Sequence, residues 1–325
     1  MAGELTMNNA SFEKALYGKV KRKANTAGNI NLRGKLNKVL SKKPEVMVKI
    51  TGFSKGGGAV KANLDYITRN GKVELEDSKG NTYLGKESVK EFFNNWDDFD
   101  QQRKNKNQRD TMKMVLSMPA GTDAEALKKA ARDFVKKEFS VNHEYAFALH
   151  TDDKHPHVHL VVKTLGFDQK RLNPRKADIQ HWRESFAEKL NDRGIDAVAT
   201  PRAIRGKVKK SEAQILRHIE QEEAKRKPRV STVLDAQRKE ALSEVKAERN
   251  GDKTQPNAWD SAIKKQQKEV IKNWHDLADE LQKQPDQDDK ILAKKIRIFA
   301  DNLPDVKTRR EELKDEIKKT SQPER

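Results

Sequence analysis

The sequence predicts an α+β domain followed by a charged, helical C-terminal region, and two observations support this. Between residues 45 and 206, apolar residues that alternate as in strands are mixed with apolar residues at helical spacing, and two adjacent strand patterns flank a short polar hairpin. After about residue 206 only charged segments with helical spacing continue. We therefore expect a basic N-terminal arm over 1–44, a folded domain over 45–206 and a helical region over 207–325.

The elements follow in a mixed order along the chain. Residues 1–44 hold ten Lys or Arg against two Glu, which predicts a flexible or partly helical arm. Strand patterns then begin near residues 46, 72, 112, 144 and 158, and helical patterns begin near residues 59, 87, 122 and 176. In the C-terminal region a capping box at Ser211 predicts a helix start. A later helix is predicted from an apolar stripe made of Trp259, Ile263, Val270, Trp274, Leu277 and Leu281.

Charge restricts the class of partner. The 325 residues include 68 Lys and Arg against 50 Asp and Glu, a formal net charge of +18. Such an excess favours a polyanion through steering and counterion release, although composition does not distinguish DNA, RNA and an anionic membrane surface. The absence of cysteine excludes disulfides and cysteine-ligated metals. No apolar run is long enough to span a membrane, so we expect a cytoplasmic protein without membrane insertion.

Four of the eight histidines fall within ten residues, in the stretch HTDDKHPHVH that starts at residue 150. Because side chains alternate along a strand, His157 and His159 share one face. A hairpin loop over 151–156 would place His150 directly across from His157. Three imidazoles on one side of a sheet, with open coordination positions left over, are typical of a catalytic metal site.

Other residues near this stretch have open roles. Asp152 and Asp153 could orient a ligand histidine or handle protons, or could simply form the turn. His155 lies outside the strand alternation, which favours proton transfer or support of a ligand over ligation. Tyr66 is the best nucleophile among four tyrosines because cationic residues and a glycine-rich loop surround it. Its apolar neighbours Leu64 and Ile67 allow the alternative that it is a core residue.

Three separate stretches resemble the motifs of plasmid mobilisation relaxases, most closely the subgroup that includes the T-DNA border endonuclease. They are LDYITRNGKVEL from residue 64, VLSMPAGT from residue 115, and HTD with HPHVH from residue 150. The resemblance covers about residues 45–200 and departs at Lys154, where an acid is expected. It implies an HUH-type fold, a central antiparallel sheet flanked by helices, with Tyr66 as the nucleophile and Ser117 as a DNA contact.

The resemblance further implies a mechanism and partners. His150, His157 and His159 would hold one divalent cation, Mg or Mn in use, with Zn, Ni or Co accepted in vitro. Tyr66 would pass its proton to Asp152 or His155 and form a 5′-phosphotyrosyl adduct with single-stranded or supercoiled DNA at an origin of transfer. Expected partners are an accessory relaxosome protein and a type IV secretion coupling protein, with export to a recipient cell.

Further cations are expected to contact DNA phosphates, and each is equally typical of a solvated surface: Lys55, Lys61, Arg69, Lys72, Arg171, Arg175, Arg202 and Arg205. Two other functions fit the composition. A metal-dependent phosphodiesterase that activates water would release its product without an adduct. A non-enzymatic nucleic-acid-binding protein would bind under chelation and cleave nothing.

Overall fold

A computed structural model of the chain describes residues 9–18, 32–96, 105, 107–208, 219, 231–252 and 258–320. The chain divides into two compact units. One consists of residues 20–200, and the other joins residues 1–19 to residues 201–325. The expected N-terminal region is thus shared between two units, and the second division lies after residue 200 rather than after residue 206.

A six-stranded sheet forms the centre of the unit at 20–200, and its neighbouring strands are all antiparallel. The strand order is β1-β4-β6-β5-β2-β3. The strands are β1 (Met47–Ser54), β2 (Leu75–Asp77), β3 (Thr82–Tyr83), β4 (Thr111–Ser117), β5 (Tyr145–His150) and β6 (His157–Lys163). This arrangement confirms the expected α+β class with a central antiparallel sheet.

Helices cover both faces of this sheet because its strands alternate between two apolar sets. One set, which includes Met112, Leu116 and Leu160, packs against helices α5 (Ala124–Phe139) and α6 (Lys176–Asp192). The opposite face packs against α3 (Gly57–Ile67) and α4 (Lys86–Trp96), and this second core includes Leu64 and Ala148. The histidines of β5 and β6 therefore lie on the α3 side of the sheet, since Ala148 and His150 share one face.

The expected basic arm contains two packed helices, α1 (Asn9–Tyr17) and α2 (Leu32–Leu40). The helices agree with the expectation of a partly helical segment, whereas the alternative of a flexible arm is wrong here because Phe12, Leu16 and Tyr17 are at most 3% exposed. In α2, Leu36 and Val39 are buried as well. The physical reason is that apolar residues at helical spacing pack despite the many cations between them, whose long side chains reach solvent.

The C-terminal unit is helical as predicted. After a 3-10 helix (Arg202–Arg205) it contains α7 (Thr232–Arg249), α8 (Ala258–Gln282), α9 (Gln287–Asp301) and α10 (Arg309–Thr320). The predicted stripe on α8 is buried at Val270, Trp274, Leu277 and Leu281. Trp259 is a correction, because it is 78% exposed at the second position of the helix, before the buried stretch begins.

Two further sequence predictions concern the Ser211 capping box and membrane-spanning segments. The capping box at Ser211 lies outside the described residues. Among the described helices, none is long and apolar enough to cross a membrane.

Candidate active site

The site begins with the hairpin that joins β5 to β6. In its register His150 lies opposite His157, and Ala148 lies opposite His159. Side chains of directly paired residues in antiparallel strands point to the same face of the sheet. The pairing expected from the loop length is therefore confirmed, and all three histidines face the side that α3 covers.

The three imidazole rings converge. Their centroids are 5.2 Å apart for His150 and His157, 4.5 Å for His150 and His159, and 5.0 Å for His157 and His159. One ring nitrogen from each residue lies within 4.8 Å of the others, which suits three ligands of one metal ion.

Hydrogen bonds select which nitrogens face the centre. The Nε2–H of His150 donates to the carbonyl oxygen of Ile67 at 2.6 Å, and the Nδ1–H of His157 donates to the carbonyl oxygen of His155 at 2.9 Å. Within the described part of the chain, the buried Nδ1 of His150 has no hydrogen-bond partner. A buried nitrogen without a hydrogen bond destabilises the folded state unless a ligand binds to it. The free Nδ1 of His150, together with the other two imidazoles, therefore suits a divalent cation.

Two of these rings are held neutral. Burial lowers the pKa of His159 to about 4, and the neighbouring His150 and His157 add to the effect. Burial likewise lowers the pKa of His150. Since a histidine must be neutral to ligate a metal, both side chains are ready to ligate at neutral pH.

Tyr66 lies on α3 and points away from the core. Its side chain is 54% exposed, whereas the flanking Leu64 and Ile67 are buried against the sheet. The Tyr66 ring meets the His159 ring edge-on, with centroids 5.5 Å apart. The alternative that Tyr66 is a core residue therefore does not hold, because helical geometry gives its neighbours the buried positions.

The other three tyrosines are used elsewhere. Tyr17 and Tyr145 are 2% and 4% exposed, and the Tyr83 hydroxyl donates to Asp77 at 3.0 Å. Tyr66 is thus the tyrosine that the fold brings to the histidines.

Arg69 connects Tyr66 to the histidine hairpin. A guanidinium N–H of Arg69 donates to Asp152 at 2.7 Å, and the guanidinium carbon lies 5.3 Å from the Tyr66 ring centroid. Slight desolvation of Asp152 would raise its pKa, but the hydrogen bond and charge of Arg69 outweigh it and hold that pKa below its usual value. Arg69 was expected to contact phosphate, yet here it binds a carboxylate of the protein.

The remaining motif residues occupy different surroundings. His155 is exposed, and its backbone carbonyl holds His157. Ser117, expected to contact DNA, is only 5% exposed, and its hydroxyl donates to the Pro156 carbonyl at 3.3 Å. It lies opposite His157 in the sheet, so it ties the end of β4 to the hairpin.

The other expected phosphate contacts are dispersed. Lys61 pairs with Asp65 on α3 at 3.0 Å, and Lys55 donates to Asn107 at 3.2 Å. Arg171 donates to the backbone carbonyl of Arg109 at 3.0 Å. The remaining expected contacts are Lys72, which is exposed after α3, Arg175 at the start of α6, and Arg202 and Arg205 in the unit at 201–325. Among the described contacts, none joins any of these seven cations to the histidines.

One contributor was missed from the sequence altogether. The backbone carbonyl of Ile67 positions His150, and no side-chain pattern could reveal a backbone acceptor. Its placement depends on how α3 packs on the sheet through Leu64 and Ile67.

Known proteins are similar in sequence to the part of the chain that holds this site. Residues 66–195 match the relaxase family model described as a MobA/VirD2-like nuclease domain. The T-DNA border endonuclease VirD2 of Rhizobium radiobacter is 30% identical over 161 residues, 44% of this chain and 38% of that protein. The VirD2 proteins of Rhizobium rhizogenes and Agrobacterium fabrum are both 29% identical over 44% of this chain, and over 37% and 36% of their own lengths.

The aligned region thus covers well under half of each of these longer relatives. The family match over residues 66–195 includes Tyr66 and the histidine hairpin. Over residues 66–195 the chain is therefore similar to the nuclease domain of MobA/VirD2-like relaxases.

Proposed function

We propose that this protein nicks one strand of DNA at an origin of transfer, with Tyr66 as the nucleophile, and later rejoins the strand during conjugative mobilisation. The observation that carries the proposal is the contact between the exposed Tyr66 ring and His159 of the histidine cluster. A phenol that is accessible to DNA and next to a metal-type site suits transesterification of a phosphodiester.

The metal would be held by His150 through Nδ1 and by His157 and His159, one divalent cation, with Mg or Mn preferred. Such a cation supplies positive charge that offsets charge on the oxygens of the scissile phosphate. The neutral state of His150 and His159 supports a role of these histidines as metal ligands. The hydrogen bonds that orient the rings of His150 and His157 support it as well.

The reaction of Tyr66 balances without a further reagent. The phenol oxygen bonds to phosphorus while the bond from phosphorus to the 3′ oxygen breaks, and that oxygen leaves as a 3′-hydroxyl after taking a proton. The 5′-phosphotyrosyl ester keeps the energy of the broken bond, so a 3′-hydroxyl can reverse the attack and reseal the strand.

Attack by the Tyr66 phenol releases its proton, so the reaction needs a proton acceptor in the transition state. Asp152 and His155 are proposed for this role because both lie on the hairpin that carries the ligands. Asp152 binds Arg69, whose guanidinium lies near the Tyr66 ring, while His155 is exposed. Asp152→Asn and His155→Gln variants would show which of the two changes the pH profile of adduct formation.

The wider setting is also proposed. The names of the relatives, T-DNA border endonucleases, support a substrate at a defined DNA border or origin. We place the reaction in the bacterial cytoplasm, with an accessory relaxosome protein and a type IV secretion coupling protein as partners and with export alongside the DNA. The net charge of +18 supports binding to a polyanion.

The first experiment detects the covalent adduct. Oligonucleotides labelled at the 3′ end, tiling both strands of the DNA that flanks the coding sequence, are incubated with protein and Mn and run on a denaturing protein gel. We expect label on the wild type and on Tyr83→Phe, the matched tyrosine control, and none on Tyr66→Phe. Cleavage by Tyr66→Phe without any adduct would indicate a water nucleophile, and binding without cleavage by any of the proteins would indicate a non-enzymatic DNA-binding protein.

A further inference from the structure

The row of paired residues through His159 continues beyond the active site. It runs from Lys49 on β1 through Val115 on β4 to His159 on β6 and Ala148 on β5. Directly paired residues of antiparallel strands share a face, so all four belong to the side that α3 and α4 cover. Ala148 is fully buried there, whereas Lys49 is exposed and Val115 is half-buried.

The histidines therefore lie where the covered half of this face meets an open half. The open half consists of the exposed or half-buried residues of β1 and β4 on this face: Met47, Lys49, Gly52, Lys113 and Val115. Met47 is 46% exposed. No acidic side chain occurs in this set, which makes the open half basic and partly apolar.

Lys49 and Lys113 differ in their ion pairing from the cations in and near the Tyr66 motif. Within the described residues neither has an ion pair, while Arg69 is paired with Asp152 and Lys61 with Asp65. A lysine without an anionic partner exerts its full charge on a phosphate, since no internal pair must first be broken. Both lie close to His159: Lys49 is two strands away, about 10 Å, and Lys113 is one strand away and two residues along.

We infer that the open half of the sheet is the track on which the single strand next to the scissile phosphate lies, with Lys49 and Lys113 on its phosphates and Met47 and Val115 against its bases. This rests on the proposed function, which requires a DNA strand at the histidines. Charge complementarity and continuity with the histidine row select this occupant. A single strand fits better than a duplex because its unpaired bases are free to contact apolar side chains.

Salt dependence of binding measures phosphate contacts directly. Each contact with a single strand contributes about 0.7 to the slope of log affinity against log salt. All variants are made in the full chain on a Tyr66→Phe background, so that no cleavage occurs. The probe is a fluorescein-labelled oligonucleotide of mixed sequence, followed by anisotropy between about 50 and 200 mM salt.

The double variant Lys49→Gln/Lys113→Gln is expected to lower the magnitude of the slope by about 1.4, the value for two contacts. The matched control is Lys129→Gln/Lys136→Gln, which removes the same charge from exposed positions of α5 on the other face of the sheet and should keep the slope. Lys49→Arg/Lys113→Arg should also keep it, and thermal unfolding of each variant checks that the fold is intact.

An unchanged slope in Lys49→Gln/Lys113→Gln would overturn this inference while leaving the proposed function standing. An equal loss of slope in the α5 control would overturn it too, because charge rather than position would then matter. A change in oligomeric state with no change in slope would assign the open face to contact between two copies of the chain. Failure of every protein to bind the probe would contradict the proposed function itself.

Discussion

The Nε2 atom of His150 lies 2.6 Å from the carbonyl oxygen of Ile67, the residue that follows Tyr66. This bond joins a proposed metal ligand to the end of the helix that carries the proposed nucleophile. It also turns the Nδ1 atom of His150 toward His157 and His159. The position of α3 and the geometry of the proposed metal site are therefore coupled through one backbone oxygen.

We predict that His150→Ala and His157→Ala differ in stability although both lose the metal. Each removes one of three ligands, so Mn affinity should fall more than tenfold in both. His150 is 1% exposed, and its loss leaves the Ile67 carbonyl without a donor, which costs about 1–3 kcal/mol of unfolding free energy. His157 is half-buried, so its loss should cost less. Calorimetric Mn titration and urea unfolding with chelator measure the two effects, and equal stability losses would refute the coupling.

We predict that Arg69 is a positioning residue for Tyr66 rather than a phosphate contact. Arg69→Ala should lower the rate of adduct formation roughly 10- to 100-fold, because small displacements of a reacting group have effects of this size. Unfolding free energy should change by less than about 1 kcal/mol, because the pair with Asp152 is half-exposed. Arg69→Lys should recover only part of the rate, since an ammonium lacks the planar fork.

The separate effects of Arg69→Ala on kcat and on DNA binding distinguish a positioning role from a phosphate contact. Asp152→Asn breaks the same ion pair from the other side and should also lower kcat, and an unchanged pH profile in this variant would assign the loss to the ion pair rather than to a missing proton acceptor. A variant Arg69→Ala with unchanged kcat and weaker DNA binding would restore the role expected from the sequence.

Local patterns in the sequence were sufficient to predict that the three histidines converge on one face of the sheet. Strand alternation and the length of loop 151–156 predict the register that places His150 opposite His157. Local patterns could not predict the contact between Tyr66 and His159. This contact depends on the packing of α3 through Leu64 and Ile67, which are distant in sequence from the hairpin. The family resemblance led to the prediction that Tyr66 is the nucleophile. The residues around Tyr66 alone left open the alternative that it is a core residue.

Long-range features were not accessible in the same way. The strand order places β4 between β1 and β6, and alternation within a strand carries no information on its neighbours. The open half-sheet with Lys49 and Lys113 follows only from that order. The N-terminal segment was interpreted as an arm because charge dominates its composition, although Phe12 and Leu16 lie on one helical face and are buried.

We predict that the metal-free protein loses stability as the pH falls from about 6.5 to about 4. The folded-state pKa of His159 is about 4, lowered by burial and by the neighbouring histidines from an ordinary 6.5. Between these values the unfolded chain binds a proton that the folded chain does not, so the unfolded state is favoured on acidification. Above about pH 6.5 both states are neutral at this residue, and its effect vanishes.

Urea unfolding in the presence of chelator, from about pH 7.5 to about pH 4.5, measures this loss. His159→Gln removes the titrating group and should have a shallower pH dependence than the wild type. Mn added at neutral pH should stabilise the wild type more than the variant, because a ligand of the folded state shifts the equilibrium toward it. Parallel pH curves for the two proteins would show that His159 is not the source.

We predict that Arg132→Met is among the most destabilising single changes in the sheet unit. Glu76 is 4% exposed on β2, and Arg132 of α5 binds both of its carboxylate oxygens, one of them at 2.7 Å. Removal of the arginine leaves a buried carboxylate without a partner, which costs about 3–5 kcal/mol of unfolding free energy. Urea unfolding at neutral pH measures this cost directly.

Two further variants separate burial from ion pairing at Glu76. Lys137→Met removes a cation from the same helix whose partner, Glu188, is half-exposed, so the loss should be below about 1 kcal/mol. Glu76→Gln added to Arg132→Met should recover part of the stability, because an amide is less costly to bury than a lone carboxylate. If Arg132→Met and Lys137→Met had equal effects, then the pair with Glu76 would behave as a surface pair, and burial of the carboxylate would not explain its contribution.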